Sequence, residues 1–205
     1  MKAVVLNCTL KPSHQTSSTE ALARVVIAEL EKGGATVEMI RLVDLNVMPG
    51  VKGNMGEGDD WPSVDESLKA ADIVVFATPI WLGQMSSVCQ RALERLDAWF
   101  AETDVSGRPV AFGKVGGVVI TGNEDGAHHI VATVCQGLID MGFTIPGQSW
   151  TYWHLGPGPG PDYVETDQGH EWSDRVGRNA ARNLLALAKI LTPETYPVPE
   201  SRKDA

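Results

Sequence analysis

The run Ile73-Val74-Val75-Phe76-Ala77-Thr78, entered directly from Asp72, constrains this chain more than any other stretch. It is β-branched in character and lacks polar alternation, so as a strand it must be covered on both faces, as in a parallel sheet flanked by helices. The rest of the chain supplies that setting. Residues 3–7 read as a first buried strand. A helix from near Ser18 carries Leu22, Val25, Val26, Glu29 and Leu30 at helical spacing until Gly33-Gly34, and residues 36–42 read as a second strand. An unpatterned loop spans residues 44–61, ahead of a short helix over 64–71. Helices over 86–100, 127–141 and 174–191 then alternate with strands over 115–121 and 144–152. Strands alternating with helices predict a doubly wound α/β sheet.

At 205 residues, 43% hydrophobic and 21% charged, the chain suits one such domain, expected over residues 1–192, with a polar, mobile tail at 193–205. Lys and Arg number 17 against 26 Asp and Glu, a net charge of -9 that disfavours nucleic acid and anionic membrane as partners. Cys8, Cys89 and Cys135 form no CxxC pair, which fits a reducing compartment and argues against a disulfide framework or zinc knuckle. The start lacks the features of a secretory signal, and the longest apolar run, 73–83, contains Thr78 and Pro79 and falls far short of the about 20 residues a bilayer requires. These features imply a cytoplasmic protein, in which Asn7-Cys8-Thr9 is a chance match to a glycosylation acceptor.

In a doubly wound sheet, ligands bind beyond the carboxyl ends of the strands, where the strand order reverses. Three segments there are unusual. After the first strand, Thr9-Leu10-Lys11-Pro12-Ser13-His14-Gln15-Thr16-Ser17-Ser18-Thr19 is dense in hydroxyls and leads into a helix N-terminus. Free N–H groups and the helix dipole suit a phosphate there, although Ser and Thr also serve as simple helix caps. After the third, Thr78-Pro79-Ile80-Trp81-Leu82-Gly83-Gln84-Met85-Ser86 places bulky apolar side chains in an expected turn. They suit the wall of a planar isoalloxazine ring, and they equally suit a cap on the core or a subunit contact. After the fourth, Thr121-Gly122-Asn123-Glu124-Asp125-Gly126 has glycines that let backbone approach a ligand, or that make a turn before helix-capping acids.

Together, Asn7-Cys8-Thr9-Leu10-Lys11 with Ser17-Ser18-Thr19, the segment 78–86 and the segment 121–126 resemble the flavodoxin-like NAD(P)H-dependent FMN reductases and related NAD(P)H:quinone oxidoreductases. The resemblance implies a three-layer sandwich with a five-stranded parallel sheet in the order 2-1-3-4-5. It implies FMN as cofactor, with Thr9, Lys11, Ser17, Ser18 and Thr19 around the phosphate. Pro79, Ile80, Trp81, Leu82 and Gly83, with Thr121, Gly122, Asn123, Glu124, Asp125 and Gly126, would flank the isoalloxazine. Where relatives often carry Gly-Ser-Pro-Arg, this chain has Cys8-Thr9-Leu10-Lys11 in a longer loop, so the hydroxyls that meet the phosphate stay open.

The implied activity is hydride transfer from NADH or NADPH through FMN to a small acceptor such as a quinone or free flavin, in a homodimer or homotetramer. An electron carrier of flavodoxin type and a flavin-free binding protein on the same fold are the rivals. No side chain is assigned a catalytic step, with His128 kept as a candidate proton donor beside the flavin. His128-His129 are adjacent and cannot form an i, i+4 metal pair, and the chain lacks the compact cysteine motif by which some relatives hold an iron–sulfur cluster. The cluster Trp150-Thr151-Tyr152-Trp153-His154, with Trp172, is read as a subunit interface or a roof over the cofactor. Residues 107–114 mimic a phosphate-binding loop but lack its Ser or Thr, and the prolines of the tract 156–161 deny it the N–H groups of a dinucleotide loop.

Overall fold

The computed structural model describes residues 1–156, 158 and 160–200; Pro157 and Pro159 of the Gly-Pro tract and the last five residues of the expected tail lie outside the described residues. Five strands run parallel: β1 (Lys2–Asn7), β2 (Thr36–Arg41), β3 (Ile73–Trp81), β5 (Val115–Thr121) and β6 (Trp150–Trp153). Their order, β2-β1-β3-β5-β6, is the expected 2-1-3-4-5 once the short β4 (Gln84–Met85), antiparallel to β3, is set aside. This is the flavodoxin-like doubly wound arrangement, whose switch point lies between β1 and β3.

Two-sided burial explains the strand sequences. Val4 and Leu6 of β1, Val74 and Phe76 of β3 and Val118 and Ile120 of β5 enter one core. Their neighbours Ala3, Val5, Ile73, Val75, Val115 and Val119 enter the other. Helices α2 (Trp61–Lys69), α3 (Ser87–Leu96) and α4 (Ala127–Met141) cover the first face, and α1 (Ser18–Lys32) and α5 (His170–Ala188) the second. Each fully buried aliphatic or Phe side chain contributes roughly 1.5–3 kcal/mol by leaving water.

The structure departs from the sequence-based expectation at three places. First, β3 does not stop at Thr78; it continues through Pro79, aligned with Thr121, to Trp81 and folds back at a hairpin. The expected turn is therefore strand plus hairpin. Second, the last strand starts at Trp150, because Pro146 has no N–H to donate and Gln148 takes a positive φ, leaving Thr144 only an isolated bridge to Val115. Third, α3 ends at Leu96 and tightens into a 3-10 turn over Asp97–Ala101, while α5 begins at His170, directly after Gly169. In the tail, Tyr196 packs its ring 5.1 Å from that of Phe112 and pairs its hydroxyl with Thr144 Oγ1 at 2.9 Å. Among the described residues no helix is long and apolar enough to cross a membrane.

The unpatterned stretch before α2 is organised by charge. Arg95 of α3 is fully buried and donates to Asp59 at 2.7 and 3.0 Å and to the carbonyls of Met48 and Lys52 at 2.7–3.0 Å. Asp59 also accepts the backbone N–H groups of Met48, Met55 and Trp61. The Arg95 guanidinium holds the Asp59 carboxyl far below the usual carboxylate range. Removing one partner leaves the other charge buried and uncompensated, so Arg95→Met should lower unfolding free energy by about 3–5 kcal/mol in urea titrations. The contribution of Asp59 is complete above its unfolded pKa of about 4 and fades as pH falls below it, so Asp59→Asn should destabilise the protein at pH 7 more than at pH 3.

Candidate functional site

All the parallel strands end on one side, and the segments after β1, β3, β5 and β6 meet there around an open cleft. The segment after β1 is held by its neighbours rather than by regular structure. Arg41, at the end of β2, donates to the carbonyls of Lys11, Pro12 and Gln15 at 2.8–3.2 Å and pairs with Glu20 of α1. Asp44 accepts Ser13 N–H at 2.8 Å and also pairs with the Ser13 hydroxyl. Arg41 and its neighbour Arg24 keep the Glu20 carboxyl below its ordinary pKa in spite of its partial burial, so the ion pair persists at neutral pH.

The hydroxyls at the start of α1 divide their roles. Ser17 caps the helix, its Oγ accepting Glu20 N–H at 3.2 Å. Thr19 Oγ1 meets Thr121 Oγ1 at 2.9 Å, tying the helix start to the end of β5. Thr9 Oγ1 accepts Lys11 N–H at 3.3 Å. Ser18 Oγ is buried and has no partner, an orphan hydroxyl on the cleft lining beside first-turn N–H groups that a helix leaves without acceptors. A phosphate would accept from the Ser18 hydroxyl and from the first-turn N–H groups that Ser17 does not cap, in the positive end of the helix dipole. At the surface, Lys11 Nζ lies 3.5 Å from Asp162.

The other wall is apolar. Pro79, Ile80 and Trp81 line it, Ile80 nearly fully buried and Trp81 54% exposed. Leu82 and Gly83 form the two-residue hairpin loop with φ of 52° and 74°, as a turn twisted to match its strands requires. Glu124 accepts Leu82 N–H at 2.9 Å, and a Cβ on Gly126 would come within 2.6 Å of Gly83 O, so the loops after β3 and β5 are locked together. Further back, Ser86 caps α3 by accepting Cys89 N–H and donates to Cys8 O at 2.7 Å. Phosphate donors at one end and an apolar wall edged by backbone groups at the other are what FMN requires, so the residues present fit it.

Of the sequence-derived residues, Thr9, Lys11, Ser17, Ser18, Thr19, Pro79, Ile80, Trp81, Thr121, Gly122, Asn123 and Glu124 line the cleft. Leu82, Gly83, Asp125 and Gly126 stand at its rim as parts of the interlocked loops, outside the lining itself. His128 points elsewhere: its ring lies 5.6 Å from Trp150 and 5.3 Å from Tyr152, both edge-on. Sequence reasoning missed Asp162 and Tyr163, which line the cleft from the stretch after β6. Trp153, read from the sequence within a cluster that forms a subunit interface or roofs the cofactor, lines the cleft with them.

The family described as NADPH-dependent FMN reductase matches residues 1–156. The chain belongs to this family. The family is named for the reduction of FMN with NADPH. Among curated relatives, the divalent metal cation transporter MntH of Mycobacterium bovis is 35% identical across 93% of this chain, which spans only 29% of that protein. The 8-demethyl-8-aminoriboflavin-5'-phosphate synthase of Streptomyces davaonensis is 33% identical across 96% of this chain and 80% of its own length. A crystal structure of RosB with bound 8-demethyl-8-formylriboflavin-5'-phosphate superposes with a TM-score of 0.83 at 31% identity, covering 93% of this chain and 79% of that one.

Leu82 carries the cost of the hairpin, being a branched residue in the left-handed region with 91% of its surface exposed. Leu82→Asn should raise unfolding free energy by about 1 kcal/mol, since Asn tolerates this conformation and no burial is lost. A fall in stability on urea unfolding would show that the Leu82 side chain packs against something in solution.

Proposed function

We propose that the cleft holds FMN with its phosphate on the Ser18 hydroxyl and the first-turn N–H groups of α1, and its isoalloxazine between Pro79, Ile80 and Trp81 on one side and Thr121, Gly122, Asn123 and Glu124 on the other. The observation that carries this reading is the buried, unpartnered Ser18 hydroxyl at a helix N-terminus inside the cleft. Thr9 and Lys11 add a hydroxyl and a positive charge at the phosphate end.

FMN, when bound, supplies the hydride chemistry between NADH or NADPH and a small acceptor such as a quinone or free flavin. The protein's own part is binding and orientation. Trp81 gives a flat apolar wall, Ile80 keeps water from the strand end, and the interlocked loops hold both walls at fixed separation. No side chain is required as a nucleophile, and His128 is left out because it faces the aromatic cluster. In this reading the enzyme works in the cytoplasm as a homodimer or homotetramer, which would cover the exposed Trp81.

A second reading takes the flavin phosphate as substrate rather than cofactor. It is favoured by the 33% identity to a synthase whose name is that of a modified riboflavin phosphate. Incubation with FMN, desalting and a visible spectrum, followed by anaerobic NADH or NADPH, separates the two. Retained yellow colour that bleaches with nicotinamide supports the reductase; retained colour that resists bleaching, with a new flavin on chromatography after aerobic incubation, supports the second. A protein that stays colourless would sink both. Ser18→Ala should weaken FMN binding about 10- to 150-fold, the range of one hydrogen bond to a charged group, and leave riboflavin binding unchanged. Equal losses for both ligands on fluorescence titration would remove Ser18 from the phosphate site.

A further inference from the structure

Arg41 and Asp44 do not line the cleft, yet the end of β2 and the 3-10 turn Leu42–Asp44 hold the segment that does. That segment meets the cleft in two stretches, residues 9–11 and 17–19, separated by an excursion over residues 12–16 that leaves the lining. The excursion is neither helix nor strand, so its ends come together only through ties from outside. Arg41 is the main tie. Its Nη1 lies 3.2 Å from Lys11 O, 2.8 Å from Pro12 O and 3.2 Å from Gln15 O, so one nitrogen draws both ends of the excursion to a single point. Its Nη2 pairs with Glu20 in the first turn of α1, one residue past Thr19. Asp44 steadies the middle by accepting Ser13 N–H at 2.8 Å.

The two stretches carry different parts of the candidate anion site. The first has the Thr9 hydroxyl and the Lys11 charge; the second has the unpartnered Ser18 hydroxyl and the start of α1. An anion that contacts both requires them at one separation. Without the guanidinium the excursion is free to open, and the apparent affinity falls with the fraction of molecules whose two stretches stand at binding distance. Both terminal nitrogens of Arg41 are engaged by the loop carbonyls and by Glu20, which leaves contact with the ligand to other groups. Glu20 also accepts from Arg24 Nε at 2.9 Å, so removing Arg41 strands no unpaired carboxylate, and the sheet and its helices stand without it.

We propose that Arg41 is a positioning residue for anion binding, which holds the two halves of the site at binding distance before the ligand arrives and does not touch the ligand itself. The proposal rests on the reading of the cleft as a flavin phosphate site.

Stopped-flow fluorescence of the flavin-free full chain with FMN and with riboflavin, in the wild type, Arg41→Met and Arg41→Lys, tests it. In Arg41→Met the association rate constant for FMN should fall about 10-fold or more, as for a site whose competent fraction drops to about a tenth, while the dissociation rate constant stays nearly unchanged. Arg41→Lys keeps the charge but lacks the fork that reaches the carbonyls and Glu20 together, and should show a smaller fall of the same kind. Riboflavin, which has no phosphate, should bind all three proteins alike. Amide hydrogen exchange over residues 9–16 should be faster in flavin-free Arg41→Met than in the flavin-free wild type, and should slow again once FMN saturates the variant. Faster FMN dissociation with unchanged association would put Arg41 on the phosphate itself and overturn the proposal, as would equal losses for FMN and riboflavin, or kinetics that Arg41→Met leaves untouched. A wild type that binds FMN no more tightly than riboflavin removes the phosphate reading and the proposal with it. Circular dichroism confirms that each variant is folded. Should Arg41→Met fail to fold, Arg41→Lys and Glu20→Gln carry the comparison, both expected to slow FMN association and to spare riboflavin.

Discussion

Two-sided burial of the central strands is the constraint on which everything else depends. A strand such as β3, with Val74 and Phe76 in one core and Ile73 and Val75 in the other, has no face to give to solvent. Helices must cover both sides, each crossover must return the chain to the same end, and all parallel strands consequently finish on one edge. The chain reverses its winding between β1 and β3, so the segments following those two strands diverge and open a crevice. The site is thus a consequence of how the core is filled, before any side chain in it is considered.

What turns a crevice into a binding site is the fate of its polar groups. Buried hydrogen-bonding groups are costly when unmade, and nearly every one near this cleft is made. Arg41 takes three loop carbonyls, Asp44 takes Ser13, Ser17 takes Glu20 N–H and Thr19 meets Thr121. Against that background the unpartnered Ser18 hydroxyl is informative, because the same surroundings that rigidify the loop have left one hydroxyl of a cleft-lining residue without a partner. A loop pinned this thoroughly has little ordering entropy left to lose when an anion arrives.

The fold was legible in the sequence because it follows from hydrophobic runs and their spacing, signals that survive in any single chain. Strand order, both helical layers and three of the four sides of the cleft came from that alone or with the family resemblance. The misplaced boundaries lie where local rules compete. Pro79 suggests the end of a strand, but it aligns with Thr121 at the sheet's upper edge, and Pro146 breaks a run that otherwise reads as continuous. The fourth side of the cleft was not legible, since Asp162 and Tyr163 follow a Gly-Pro tract without periodicity and reach the site only through tertiary contacts with Lys11, Asn123, His170 and Asp174. The Arg95–Asp59 pair was hidden for the same reason, being 36 residues apart in sequence and joined only by packing.

A cradle of this kind recognises a phosphate and a flat ring, and neither feature says whether the flavin is a tool or a workpiece. That is why one fold and closely similar sequences can belong to a family of reductases and also resemble a protein seen with a formyl-flavin phosphate bound. The distinction has to come from groups at the ring. In the proposed orientation those groups are Trp81, the backbone of the interlocked loops, and Glu124, whose carboxylate is already engaged by Leu82 N–H. With the ring placed so, it meets apolar surface and a carboxylate that already accepts a backbone N–H, while His128 faces away. Such a setting suits a ring that is to be reduced and reoxidised unchanged, which is the physical ground for placing reduction ahead of flavin modification in this chain.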